Sequence, residues 1–242
     1  MENNFTRTEL LLGKAKVEEL KNKKVLIFGI GGVGGYVCEA LARTGIGYFD
    51  LVDNDKVSIS NINRQIIATT KTIGLYKCEL MKERIQSINP AAIVNTFNVF
   101  YTKDNQDIID FNNYDYIIDC IDTVTSKLLI IEKATSLNKN IISSMGTGNK
   151  INPMMLEIAD INKTSVDPLA KVMRYELKKR GIKHLKVLYS KELPMKLEEE
   201  IINENNKVIP GSISFVPSAA GLIIASEVIK DLTGIRNDNK GA

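Results

Sequence analysis

The chain has 242 residues, 44% apolar and 25% charged, a composition that excludes disorder and points to a folded globular protein. Its 32 basic and 29 acidic residues leave a net charge of +3, too even a balance to mark nucleic-acid binding by itself. Cys38, Cys78 and Cys120 lie far apart with no C-x-x-C spacing, which excludes a zinc ribbon and suits a reducing compartment.

The opening MENNFTRTELLLGKAKVEELK is charged throughout and lacks the apolar stretch of a secretory signal. Leu10, Leu11, Val17 and Leu20 among charges predict one amphipathic helix over 8–20. Residues 24–30 form a continuous β-branched run, the pattern of a strand buried on both faces. A helix opened by glycines follows over 33–43, then a second strand over 48–52. A polar stretch leads to a helix over 76–88 that stops at Asn89-Pro90. Strands are predicted over 93–97, 116–120 and 141–145, with a helix over 124–137. Beyond residue 150 the alternation loosens: strands over 156–161 and 186–189 enclose a basic helix over 167–180. The uncharged stretch 208–226 contains Pro210, Gly211 and Pro217 and reads as a strand, a turn and a helix start at Pro217, not as a membrane span. The pattern predicts an α/β fold: a Rossmann-like, doubly wound, mainly parallel sheet continued by additional, partly antiparallel strands.

Gly29-Ile30-Gly31-Gly32-Val33-Gly34 lies between the first strand and the first helix of that alternation. Glycines there permit a tight turn and let backbone N–H groups approach a phosphate at a helix N-terminus. Asp53, at the end of the second strand, can accept both hydroxyls of a ribose. The loop satisfies the dinucleotide fingerprint G-x-G-x-x-G, so an NAD-dependent oxidoreductase is one reading. It fails as a Walker P-loop, because Gly35-Tyr36 stands where Lys-Ser/Thr is required.

Asn61-Ile62-Asn63-Arg64-Gln65 follows the second strand at the carboxyl edge, where such folds bind ligands. Lys77 opens the next helix, Asp122 follows the fourth strand, and Lys127 lies five residues on. These positions bring Arg64, Lys77 and Lys127 to one crevice, facing Asp53 and Asp122. Several cations and a metal ligand suit a triphosphate better than a dinucleotide pyrophosphate.

The glycine run, Asp53, Asn61–Gln65, Lys77 and Cys120-Ile121-Asp122 together resemble the adenylate-forming family that includes ubiquitin-activating enzymes and the bacterial activators of sulfur-carrier proteins. MKERI at 81–85, Asn89-Pro90, KTSVDPLAK at 163–171 and FVPSAAG at 215–221 are similar to the branch of that family that dehydrates threonylcarbamoyladenosine in tRNA. The resemblance covers nearly the whole chain. The chain lacks the paired zinc cysteines of the sulfur-carrier activators and an acceptor cysteine in its second half. Activation of a small sulfur-carrier protein is thus the second choice.

The resemblance implies one adenylating domain over 1–242, with a nucleotide half to about residue 150 and a half for substrate, tRNA and dimerisation beyond it. It implies ATP and Mg²⁺ without zinc, and leaves room for a structural monovalent cation. Gly29, Gly31, Gly32, Gly34, Asp53, Asp55, Asn61, Arg64, Gln65, Lys77, Asp122 and Lys127 are the implied nucleotide-binding set. Arg64 and Lys77 neutralise phosphate charge, Asp122 holds Mg²⁺, Lys127 adds a phosphate contact and Asp53 fixes the ribose. The implied partners are tRNA, a second copy in a homodimer and a sulfur-transfer protein, in the cytoplasm. Residues 163–191 carry nine Lys or Arg against two acids, a local charge expected for contact with an RNA backbone. His184, the single histidine, falls in this basic stretch and reads as a surface residue.

Overall fold

The computed structural model describes residues 2–202 and 208–235. Seven strands form one sheet: β1 (Lys24–Phe28), β2 (Tyr48–Val52), β3 (Ile93–Phe97), β4 (Tyr116–Asp119), β5 (Ile141–Ser144), β6 (Leu156–Asp160) and β7 (Lys186–Ser190). Their order is β3-β2-β1-β4-β5-β7-β6. All neighbours pair parallel except β6 and β7, which are antiparallel at the edge. The doubly wound, mainly parallel sheet with an antiparallel extension is the architecture expected from the alternation.

The helices are α1 (Thr6–Leu12), α2 (Lys14–Leu20), α3 (Gly34–Thr44), α4 (Lys77–Ile88), α5 (Val124–Ser136), α6 (Pro168–Lys179) and α7 (Phe215–Thr233). The continuous apolar run of β1 is explained by its two covers. Val25 and Ile27 pack into a core with residues of α3, α4 and α7, whereas Leu26 and Phe28 face a second core with Phe111, Ile130 and Ala134. Each such fully buried aliphatic or aromatic side chain is worth about 1.5–3 kcal/mol. A third cluster joins α5, α6 and β7 through Ile131, Met173, Leu177 and Val187.

Three expectations change. The single N-terminal helix is two, because Gly13 sits at φ +87° between α1 and α2. Leu10 and Leu11 are 84% exposed, so α1 adds only the partly buried Leu12 to the core, whereas α2 buries Val17 and Leu20. The last helix opens at Phe215, and Pro217 occupies its first turn, where a missing N–H costs nothing. Residues 208–214 form no strand before it; Val208 makes only an isolated bridge with Ile202.

Candidate active site

The chain leaves β1 and β4, which are adjacent, toward opposite sides of the sheet. A crevice opens at that switch point, beyond the carboxyl ends of the strands. Its volume is about 640 Å³, and it is lined by the loops after β1, β2, β4 and β5 and by the start of α6.

The glycine loop forms one wall. Gly34 must be glycine, since a Cβ there would lie 1.8 Å from Gly29 O. Gly31 and Gly32 line the crevice, and the N–H groups of residues 31–34 donate no backbone hydrogen bond. They are the orphan donors of a helix start, suited to a phosphate. Asp53 Oδ2 accepts from Ile30 N at 2.6 Å and Oδ1 from Asp55 N at 2.8 Å, which aims the carboxylate at the crevice it lines. Burial pushes the Asp53 carboxyl above its ordinary value, against the opposing pull of Lys77 and the two backbone donors.

The second wall carries the cations. A short turn over Ile59–Asn61 is closed by Asn61 Oδ1 accepting from Ser58 N at 3.1 Å. It presents Arg64, whose Nη1 donates to Ser60 O at 2.8 Å and Asn63 Oδ1 at 2.9 Å. Both acceptors are neutral, so the guanidinium keeps its charge for an anion. Lys77 begins α4 and its Nζ lies 2.7 Å from Asp55 Oδ2; the lysine side chain is 6% exposed and the carboxylate 57%. Asp55 therefore acts on the site through Lys77. Gln65 is buried beside Gly31, and its Oε1 has no hydrogen-bond partner. Asp55, Asn61, Arg64, Gln65 and Lys77 line the crevice.

Asp122 lies exposed at the crevice after β4, and its carboxylate meets only the Thr123 hydroxyl at 3.4 Å. No group of three or more His, Cys, Asp or Glu that could hold a metal ion exists among the described residues. One free carboxylate suits Mg²⁺, which is commonly held by one or two carboxylates together with substrate phosphates.

Lys127 corrects an expectation. Its side chain is fully buried, 2.8 Å from the equally buried Asp119 Oδ2. The ammonium donates to Ile121 O at 2.9 Å and Ser144 O at 2.8 Å, and it does not line the crevice. All three donors are spent, because α5 turns the side chain under the loops instead of toward solvent. Lys127 ties the Asp122 loop to the end of β5 and has no donor left to offer a phosphate. Of the three expected cations, Arg64 and Lys77 line the crevice.

Cys120 also lines the crevice. Burial and the neighbouring Asp119 push its thiol far up from the ordinary value, the opposite of an activated nucleophile.

Two crevice residues escaped the sequence reading. Lys150 and Asp167 are both buried and form an ion pair that lines the crevice. Lys150 Nζ also donates to Gly146 O at 2.6 Å, and Asp167 Oδ1 caps α6 by accepting from Ala170 N at 2.8 Å. The Asp167-Pro168 dipeptide carries a helix-start signal; nothing local announces that this helix starts in the crevice.

The basic stretch is less cationic than its composition. Lys179 and Arg180 pair with Glu176, and Arg180 also with Glu132. Lys186 pairs with Glu227 and Asp231, and Lys191 with Glu157. His184 is on the surface, 3.1 Å from Asp160 Oδ2.

Comparison with known proteins agrees with this geometry. The model described as "ThiF family" matches residues 5–242. The tRNA threonylcarbamoyladenosine dehydratase of Bacillus subtilis is 42% identical over 242 residues, covering 96% of this chain and 95% of that protein. The Escherichia coli tRNA N6-threonylcarbamoyladenosine dehydratase TcdA, solved in complex with AMP, superposes with a TM-score of 0.87 at 32% identity. That match covers 96% of this chain and 94% of that one. Its complex with ATP gives 0.85 over the same coverage.

Proposed function

Because the chain belongs to the ThiF family, we propose that it catalyses the ATP-dependent dehydration of N6-threonylcarbamoyladenosine in tRNA. The observation that carries this is a full-length match to dehydratases, joined to a crevice that holds orphan N–H groups, the Asp53 carboxylate and the cations Arg64 and Lys77 together. An NAD oxidoreductase leaves Arg64 and Lys77 without a task. A sulfur-carrier activator is not favoured either, since the full-length match is to dehydratases.

A carboxylate is a poor electrophile, because its leaving group would be oxide. Attack of the substrate carboxylate on the α-phosphorus of ATP forms an acyl adenylate and expels pyrophosphate. The carbamoyl group of the same substrate then attacks the acyl carbon, a proton is lost, the ring closes and AMP leaves. The balance is one water removed from the nucleoside. Nucleophile and electrophile belong to one molecule, so the second step gains from proximity. The protein's part is largely electrostatic. Arg64 and Lys77 take up negative charge on the phosphates, the 31–34 N–H groups hold phosphate oxygens, and Asp53 fixes the ribose. Asp122 would hold Mg²⁺, which would supply Lewis-acid stabilisation of the departing pyrophosphate's charge.

On this reading 1–242 is one adenylating domain and works in the cytoplasm beside its tRNA. The exposed Phe215 and Leu222 of α7, with Met154, support a homodimer. A sulfur-transfer protein is a further partner of this proposal. No described helix is long and apolar enough to cross a membrane.

The decisive experiment incubates tRNA carrying threonylcarbamoyladenosine with the protein and ATP, then weighs the digested nucleosides. The expected product is lighter by one water, with AMP and pyrophosphate released. An unchanged nucleoside mass sinks the proposal.

A further inference from the structure

We infer that the solvent face of α6 is the surface along which the tRNA strand lies as its modified nucleoside enters the crevice, with Tyr175 stacking on an unpaired base. The inference rests on the dehydratase reading above.

The chemistry requires that the substituent on a base reach the α-phosphate inside the crevice. Enzymes that act on a base take it out of the stack or use a single strand. The flanking nucleotides must then cross the rim. α6 is an element that runs outward from that rim: Pro168 and Leu169 line the crevice, and the helix continues to Lys179. At 1.5 Å rise per residue, Tyr175 lies about 10 Å and Lys178 about 15 Å beyond Pro168 along the axis.

Lys171, Tyr175 and Lys178 have i, i+4, i+7 spacing and share one face. Ala170, Met173 and Leu177 occupy the buried face. All three outer residues are exposed, Tyr175 by 62%. Lys179 Nζ lies 4.0 Å from the Tyr175 ring centroid. An exposed aromatic ring among cations is the arrangement that binds single strands, with bases stacked on the ring and phosphates on the charges.

Charge complementarity selects the occupant. Pairing with Glu132, Glu157, Glu176, Glu227 and Asp231 consumes Lys179, Arg180, Lys186 and Lys191. Arg174 is turned to Thr164 O at 3.0 Å. Lys163, Lys171, Lys178 and Lys183 are exposed and form no ion pair among the described residues. Lys163 and Lys183 sit on adjoining loops, because Asn162 Nδ2 donates to Lys183 O. Within residues 163–191 the unspent charge thus lies on the α6 face and the loops flanking it, which fits a polyanionic strand.

The test measures binding of tRNA carrying threonylcarbamoyladenosine by full-length wild type, Tyr175→Ala, Tyr175→Phe and the double variant Lys171→Gln/Lys178→Gln, across a salt series. Tyr175→Ala is expected to weaken binding about 5- to 100-fold, and Tyr175→Phe to retain most of it. The lysine double variant should flatten the slope of log affinity against log salt by about one to two units. AMP binding by calorimetry should be unchanged in every variant. Wild-type affinity in Tyr175→Ala, or an unchanged slope in the double variant, overturns the inference even if wild type dehydrates the tRNA. If wild type leaves the nucleoside mass unaltered, the dehydratase reading fails on that separate measurement. The binding comparison still judges the α6 face by itself.

Discussion

Lys127 Nζ and Asp119 Oδ2 lie 2.8 Å apart with both side chains fully buried. Asp119 also accepts from Ser143 Oγ at 2.6 Å and Ile121 N at 3.2 Å. The pair is thereby bonded to the loop that carries Asp122 and to the end of β5. Two loops that border the crevice are cross-linked beneath it, which fixes the Asp122 loop against the end of β5. Removing one partner leaves an uncompensated buried charge, at a cost of about 3–5 kcal/mol. Lys127→Met is therefore expected to lower unfolding stability by that amount in urea titration. The double variant Asp119→Asn/Lys127→Met should recover part of the loss. A single variant as stable as wild type would mean that the pair is structurally idle.

Arg64 and Lys77 are predicted to act on the phosphates, and each should cost about 10²–10³ in rate when truncated to alanine. Arg64 is partly exposed and bonded to neutral oxygens, so Arg64→Ala should keep the fold. Lys77→Ala frees the exposed Asp55 into solvent, which also spares the fold. Pyrophosphate release and circular dichroism check both statements. Near wild-type turnover in either variant would place the phosphates elsewhere.

No thiol enters the proposed chemistry. Cys38 and Cys78 are buried in the core, and Cys120 reaches the crevice with its thiol pushed far up. Cys120→Ala, and the triple cysteine-to-alanine variant where it folds, should still dehydrate tRNA. A Cys120→Ala protein that binds ATP but forms no product would reveal a covalent thioester step.

Stability should fall in acid partly through Glu39. Burial pushes this carboxyl up, but hydrogen bonds from Arg84 and Arg43 outweigh it and hold it below the ordinary value of 4.5. A carboxyl lowered in the folded state contributes stability above its unfolded value, lost as pH falls through the folded one. Glu39 joins Arg43 of α3 to Arg84 of α4 at 2.7 and 2.6 Å. Glu39→Gln should thus cost about 1 kcal/mol near neutrality, allowing for the exposure of the arginines. The gap to wild type should close below pH 4.5. A gap that stays constant from pH 7 to pH 3 would contradict this assignment.

Most of the sheet and the outline of the crevice were legible before any coordinate. A β-branched run such as that of β1 records burial on both faces, and the glycine loop, Asp53, Arg64, Lys77 and Asp122 each stand just beyond a strand or at a helix start. A parallel sheet gathers such positions at one edge, so short-range motifs suffice to place them. What the tertiary structure decided were the partners. Lys127 and Lys77 both look like phosphate cations in sequence. One is turned inward onto Asp119, while the other remains at the crevice against Asp55. Lys186 is paired with Asp231, 45 residues away, and Lys150 gains its role only when Asp167 is packed against it. Residue type and spacing report how a backbone will run. Whether a charge is spent or free depends on which distant side chain the folded chain brings within a few ångströms of it.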